Sequence, residues 1–213
     1  MPRHAPDAQE ILDVAHALVL RHGAAKASMN DIARAAGVSK GLLYLRFESR
    51  DELLDAMVTR EFARLLHALR DAALADDRGG LLSQVYRHSA STLRDHPLLW
   101  TIWTEASSTP AGRVDARRAA RVAARIAAGR RYLARLLDAG VLTGDLDGTL
   151  TEVLTTFTLG LSAASDDPEA TVRGMAALVA GALEPPDADI GAGKDALTAF
   201  VDELLATTTE VTT

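Results

Sequence analysis

Nine residues in a row, Ser39-Lys40-Gly41-Leu42-Leu43-Tyr44-Leu45-Arg46-Phe47, combine hydrogen-bond donors with apolar side chains at helical spacing. Lys40 can donate to guanine O6 and N7 or to a phosphate. Tyr44 and Arg46 suit phosphate oxygens, and Ser39 with the free N–H groups that open a helix can hold another. Gly41 lets the backbone approach closely. Leu42 reads only by apolar contact, for instance with a thymine methyl, and Leu45 stands on the same outward side. Arg50, at the next helix start, offers one more phosphate donor, and Ser28, at the preceding one, completes the set. This is the chemistry of a surface that grips nucleic acid.

Such side chains need a rigid frame. Ser28 caps a short helix predicted through Ala36, and Gly37 supplies a left-handed residue that a β-carbon would oppose. Ser39 caps a second helix running to Phe47. Ile32, Val38 and Leu43 are spaced to share a small core between the two, with Ala33 where they would pass closest. Leu43 and Phe47, four apart, face inward, which leaves the donors outside. Upstream, Ile11, Leu12, Val14, Ala15, Leu18 and Val19 form one face of a helix that Gly23 ends. Downstream, Ser49-Arg50-Asp51-Glu52 reads as a capping box. It opens a long helix to about Ala75, with Leu53, Leu54, Met57, Val58, Phe62, Leu65, Leu66 and Leu69 on its buried stripe.

An ordinary αα-hairpin with a solvated basic face shares some of these features, and charge separates the two readings. Residues 20–50 hold six basic residues against two acidic, a local +4 on a chain of net −6, so the remainder carries −10. One basic segment on an acidic body orients the molecule towards phosphate. At Ile32-Ala33, Ala36-Gly37-Val38-Ser39-Lys40-Gly41, Leu43-Tyr44, Phe47, Ser49-Arg50 and Leu53-Leu54 the sequence resembles the TetR family of bacterial regulators. The resemblance covers about residues 8–58. It implies a helix-turn-helix that binds a double-stranded, palindromic operator, and a divergent C-terminal bundle that dimerises and takes a small effector. Leu42 and Leu45 depart from the family pattern, in which a small hydroxyl residue and a histidine or other polar or aromatic residue are common there, so no operator sequence is carried over.

The fold expected is all-α, a three-helix head (1–50) on a helical effector-binding and dimerisation domain (51–213), about nine to ten helices in all. Breaks at Asp76–Gly80, Pro97, Pro110–Gly112, Gly140–Gly144 and Glu184–Gly193 predict body helices near 81–95, 98–108, 113–139, 147–164, 168–183 and 194–206. Tyr86, Trp100 and Trp103, with Phe62, Leu66 and His67, are candidates to line an apolar effector pocket; plain core packing is the alternative. Leu150, Val153, Leu154, Phe157 and Leu161 make one stripe, and Val172, Met175 and Val179 another. A two-fold four-helix interface fits both, as does burial inside one chain. The eight arginines from Arg113 to Arg135 read as a solvated face paired with the acidic body.

Other functions find little support. There are no cysteines, and the six histidines show no metal-ligand spacing; no phosphate loop or serine elbow appears. No catalytic residue, metal or cofactor is expected. No run of about eighteen apolar residues suggests a membrane span, and Met1-Pro2-Arg3-His4 leads into an amphipathic pattern without a signal-peptide core, so the expected location is the cytoplasm. An effector-independent regulator of the same fold and a small helical enzyme are the competing readings.

Overall fold

Reciprocal capping starts the chain's first helix. The Asp7 carboxylate accepts the Glu10 N–H and the Glu10 carboxylate accepts the Asp7 N–H, each at 2.9 Å, opening α1 (Ala8–His22). In this computed structural model residues 6–105, 116–144, 149–150, 152–154, 156–157 and 167–209 are described. Gly23, at φ 82°, stops α1 and leads through a single 3₁₀ turn (Ala24–Lys26) to α2 (Met29–Ala36), α3 (Lys40–Arg46) and α4 (Arg50–Ala75). Then follow α5 (Leu82–Arg94), α6 (Pro97–Glu105), α7 (Ala116–Asp138), α8 (Pro168–Ala182) and α9 (Ile190–Thr209), with helical backbone also at the described residues of 149–157. The chain is all-α, without a strand among the described residues. No helix among them is long and apolar enough to cross a membrane.

Two compact units divide the chain: Met1–Phe62 with Pro97–Leu99, and Ala63–His96 with Trp100–Thr213. The first has a core of Ile11, Ala15, Ile32, Leu43, Leu53 and Met57, with Leu12, Val19, Met29, Ala33 and Phe47 around it. Leu53 and Met57 are why this unit extends past Arg50: the first turns of α4 supply part of its core. Each such side chain contributes roughly 1.5–3 kcal/mol through removal from water. Arg60 ties α4 to α1, donating to the Gln9 carbonyl at 2.9 Å and to the Asp13 carboxylate at 2.8 Å.

In the second unit α7 packs along α9 and α5 along α8. The α7–α9 seam is built from Ala128, Tyr132 and Leu136 against Leu197, Val201 and Leu204, all buried. Gly140, at φ 67°, ends the α7 turn, and Thr143 donates backbone N–H to the Leu183 carbonyl at 2.7 Å.

The last helix begins earlier than glycine content suggests. Asp189 accepts the Ala192 N–H at 2.9 Å and so caps a helix starting at Ile190, four residues before the predicted Lys194. Gly193 is there for space: a β-carbon on it would lie 2.2 Å from the Gly80 carbonyl oxygen. The box at Ser49 is also modified. Ser49 accepts the Glu52 N–H at 3.1 Å, but the Glu52 carboxylate turns back to the N–H of Glu48, not of Ser49.

Candidate nucleic-acid interface

Helices α2 and α3 are held at their turn by Gly37, at φ 67°, whose following residue Val38 donates N–H to the Ala33 carbonyl at 3.0 Å. Ser28 caps α2, accepting the Asp31 N–H at 3.2 Å while its hydroxyl donates to the Asp31 carboxylate. That bond, with Arg34 as ion-pair partner, holds Asp31 below the usual carboxylate range. Ser39 caps α3 by accepting the Leu42 N–H at 3.1 Å. Both serine side chains therefore orient helix starts; the Ser28 hydroxyl hydrogen is committed to Asp31, and that of Ser39 is the one left to donate to a phosphate.

The inward and outward faces of α3 separate as the spacing predicts. Leu43 is completely buried and Phe47 nearly so, whereas Lys40, Gly41, Tyr44, Leu45 and Arg46 are exposed and Leu42 is half-buried. Leu45, at 84% exposure, is an apolar residue with no packing role in the monomer. The Lys40 ammonium lies 5.7 Å from the centre of the Tyr44 ring, so the two side chains share one patch by a cation–π contact. A β-carbon at Gly41 would meet nothing closer than the Ser39 hydroxyl at 3.9 Å, so this part of the surface is open.

Arg50 has an internal job that its position in the sequence did not reveal. Its Nε donates to the Ala27 carbonyl at 2.8 Å, one terminal nitrogen donates to the Ala24 carbonyl, and the other lies 3.6 Å from Asp51. Those carbonyls belong to the first residue of the 3₁₀ turn and to the residue just after it, so Arg50 fastens the start of α4 to the segment that leads into α2. No spacing rule announces a bond across twenty-three residues.

Residues 11–57 match the model of the bacterial regulatory proteins of the tetR family. Over this N-terminal segment the chain is similar to that family. An HTH-type transcriptional regulator of Mycobacterium tuberculosis, itself uncharacterized, is 35% identical over 107 residues, 49% of this chain and 52% of that protein. The probable acrEF/envCD operon repressor of Escherichia coli K12 is 41% identical over 49 residues, 23% of this chain and 22% of the repressor. The matched portion thus spans about half the length of the mycobacterial relative. A solved structure, the SmeT–triclosan complex, shares the fold with a TM-score of 0.57 at 22% identity, covering 85% of this chain and 93% of its own.

The remaining predicted positions scatter more. Phe62 is half-buried and falls with the first unit. In the second, Leu66 is buried and Tyr86 and Trp100 are half-buried, but His67 is exposed, with its Nδ1 3.1 Å from an Arg70 nitrogen. The Trp103 side chain and Leu161 lie outside the described residues. Of the two stripes proposed for dimer contact, Leu150, Leu154, Val172 and Val179 are buried within the chain's own fold, and Met175 and Phe157 are half-buried. Phe157 sets its ring edge-on to Tyr86, centroids 6.0 Å apart. Val153 remains exposed, as does Leu178, which neither stripe included.

Proposed function

We propose that this protein is a homodimeric, cytoplasmic, sequence-specific DNA-binding transcriptional repressor released by a small apolar or amphipathic effector. The observation that carries the DNA reading is the split face of α3: Leu43 and Phe47 anchor it while Lys40, Leu42, Tyr44, Leu45 and Arg46 remain free to meet a groove. Lys40 supplies the polar base contact, Leu42 and Leu45 apolar contacts with thymine methyls, and Tyr44 and Arg46 the phosphates. Ser28, Ser39 and Gly41 shape the approach. The repressor named among the relatives supports the direction of regulation.

One α3 spans only a few base pairs. Two copies, about 34–36 Å apart on one face of the duplex, give a useful site, which is why a palindrome is expected. Burial of Leu150, Leu154, Val172 and Val179 moves the proposed dimer face to what they leave outside. On α8 that face is Ala170, Gly174, Ala177, Leu178 and Gly181, at helical spacing and exposed, with Val153 as a further exposed apolar residue.

The effector reading rests on Leu66, Tyr86, Trp100 and Trp103 in the second unit, and on a fold neighbour solved with triclosan. Release requires that the effector favour a state of the dimer in which the two α3 helices no longer fit both half-sites. The test is selection of random duplexes on the purified protein, followed by anisotropy titration of the enriched sequence. An inverted repeat bound by the dimer is expected. Failure to enrich any sequence would sink the DNA reading. Binding that no lipophilic compound weakens would leave an effector-independent regulator.

A further inference from the structure

Tyr132 stands on the buried face of α7, one turn from Ala128 and from Leu136, and is itself 4% exposed. Its ring stacks on Phe200 of α9 with centroids 4.8 Å apart and planes 10° from parallel. Its hydroxyl nevertheless meets no hydrogen-bond partner among the described residues. Buried phenols ordinarily find one, because an unmade bond forfeits what water gave in the unfolded chain. Burial first, then the nearby Tyr86 and Glu184, push the phenol well above its ordinary range, so it stays protonated and is a standing donor.

The neighbours narrow what it can donate to. Glu184 is already engaged: its two carboxylate oxygens accept from the backbone N–H and the hydroxyl of Ser83, each at 2.7 Å. It thereby caps α5, whose own N-cap residue, Leu81, has no side-chain acceptor. Tyr86 holds its edge-on contact with Phe157. Two aromatic pairs, Tyr86 with Phe157 and Tyr132 with Phe200, and one committed carboxylate therefore belong to the same unit as an unanswered donor.

We propose that the Tyr132 hydroxyl is the polar anchor of a ligand site inside the second unit, and that its ligand is a neutral, apolar or aromatic molecule bearing a hydrogen-bond-accepting oxygen or nitrogen. The donor demands an acceptor, the aromatic surroundings favour a flat apolar body, and the charge of Glu184 works against an anion. The proposal deepens the effector reading and rests on it for its regulatory meaning, though not for the binding itself.

Tyr132→Phe keeps the ring stack and deletes only the donor. Equilibrium dialysis of the full-length protein would compare two ketones with their hydrocarbons, acetophenone with ethylbenzene and benzophenone with diphenylmethane. Wild type should bind each ketone about tenfold more tightly than its hydrocarbon, the scale of one hydrogen bond. Tyr132→Phe should lose that preference, keep the hydrocarbon affinity, and melt no lower than wild type. Absence of binding, absence of preference in wild type, or a preference that survives in Tyr132→Phe overturns the anchor. So does a melting temperature lowered by several degrees, because the hydroxyl then has a partner in the free protein. The same ketones added to operator-bound protein separate the two readings. A preference lost in Tyr132→Phe without DNA release keeps the anchor and removes the effector mechanism. Release that is equal in wild type and Tyr132→Phe keeps the mechanism and removes the anchor.

Discussion

The guanidinium of Arg50 donates from Nε to the Ala27 carbonyl at 2.8 Å, joining the first turn of α4 to the residue before the Ser28 cap. With the second donation, to Ala24, it fixes where α2 begins relative to α4. Because α3 follows α2 through a three-residue turn, this clasp also sets where the outward face of α3 points.

Replacing Arg50 by alanine should therefore cost stability, about 1–3 kcal/mol and chiefly through the Ala27 carbonyl, since the Ala24 carbonyl keeps the Ala27 N–H, as read by urea unfolding. If the guanidinium is wholly occupied inside the head, the slope of log affinity for DNA against log salt will not change. A slope reduced by about one would instead mark Arg50 as a direct phosphate contact.

Lys40 and Tyr44 should behave in the opposite way, since both are exposed and neither supports the core. Lys40→Ala is expected to weaken operator binding by roughly 1–3 kcal/mol if it reads a guanine, with the melting temperature unchanged. Tyr44→Ala should weaken it as well. Because the ammonium rests near the Tyr44 ring, the double mutant should lose less than the two singles together, by about 0.5–1 kcal/mol. Wild-type affinity in both single mutants, measured by fluorescence anisotropy, would remove these residues from the interface.

Much of the head was legible because its determinants are local. Ser28, Gly37 and Ser39 each act within four residues of their own position, and the inward pair Leu43 and Phe47 follows from helix period alone. What stayed hidden acts at a distance. Arg50 reaching Ala24, Glu184 capping α5 at Ser83, and Gly193 making room for Gly80 depend on which segments meet in space. Tyr132 was obscured by composition: α7 reads as an arginine helix, although Ala128, Tyr132 and Leu136 carry a buried period of four. On α8, periodicity correctly marked Val172 and Val179 as buried but cannot say whether burial is within one chain or between two.

For the dimer, Leu178→Glu is the informative change. The residue is 68% exposed, so a carboxylate costs the monomer little, whereas in a two-fold apolar contact it places like charges together. Light scattering at micromolar concentration should show monomer for the variant and dimer for wild type, with helicity retained by circular dichroism. A variant that remains dimeric places the contact elsewhere.

The last prediction concerns acid stability and the seam between α7 and α9. Glu203 accepts from Arg131 Nε at 2.8 Å and also from Arg135, and these bonds hold its carboxyl below its ordinary value of 4.5. A depressed carboxyl binds its proton more readily in the unfolded chain. Its contribution is therefore complete above the ordinary carboxylate range and is lost as pH falls through the lowered value. Glu203→Gln removes the charge, while the amide oxygen still accepts one bond. The stability gap between wild type and Glu203→Gln should be flat from about pH 8 to pH 6 and narrow progressively as pH falls below about 4.5. Taking the difference between the two proteins cancels Asp31 and Asp76, whose carboxyls are lowered too and lose their contributions in the same acid range. A gap that stays constant down to pH 3 would mean that packing of the side chain, and not its charge, holds the two helices together at this point.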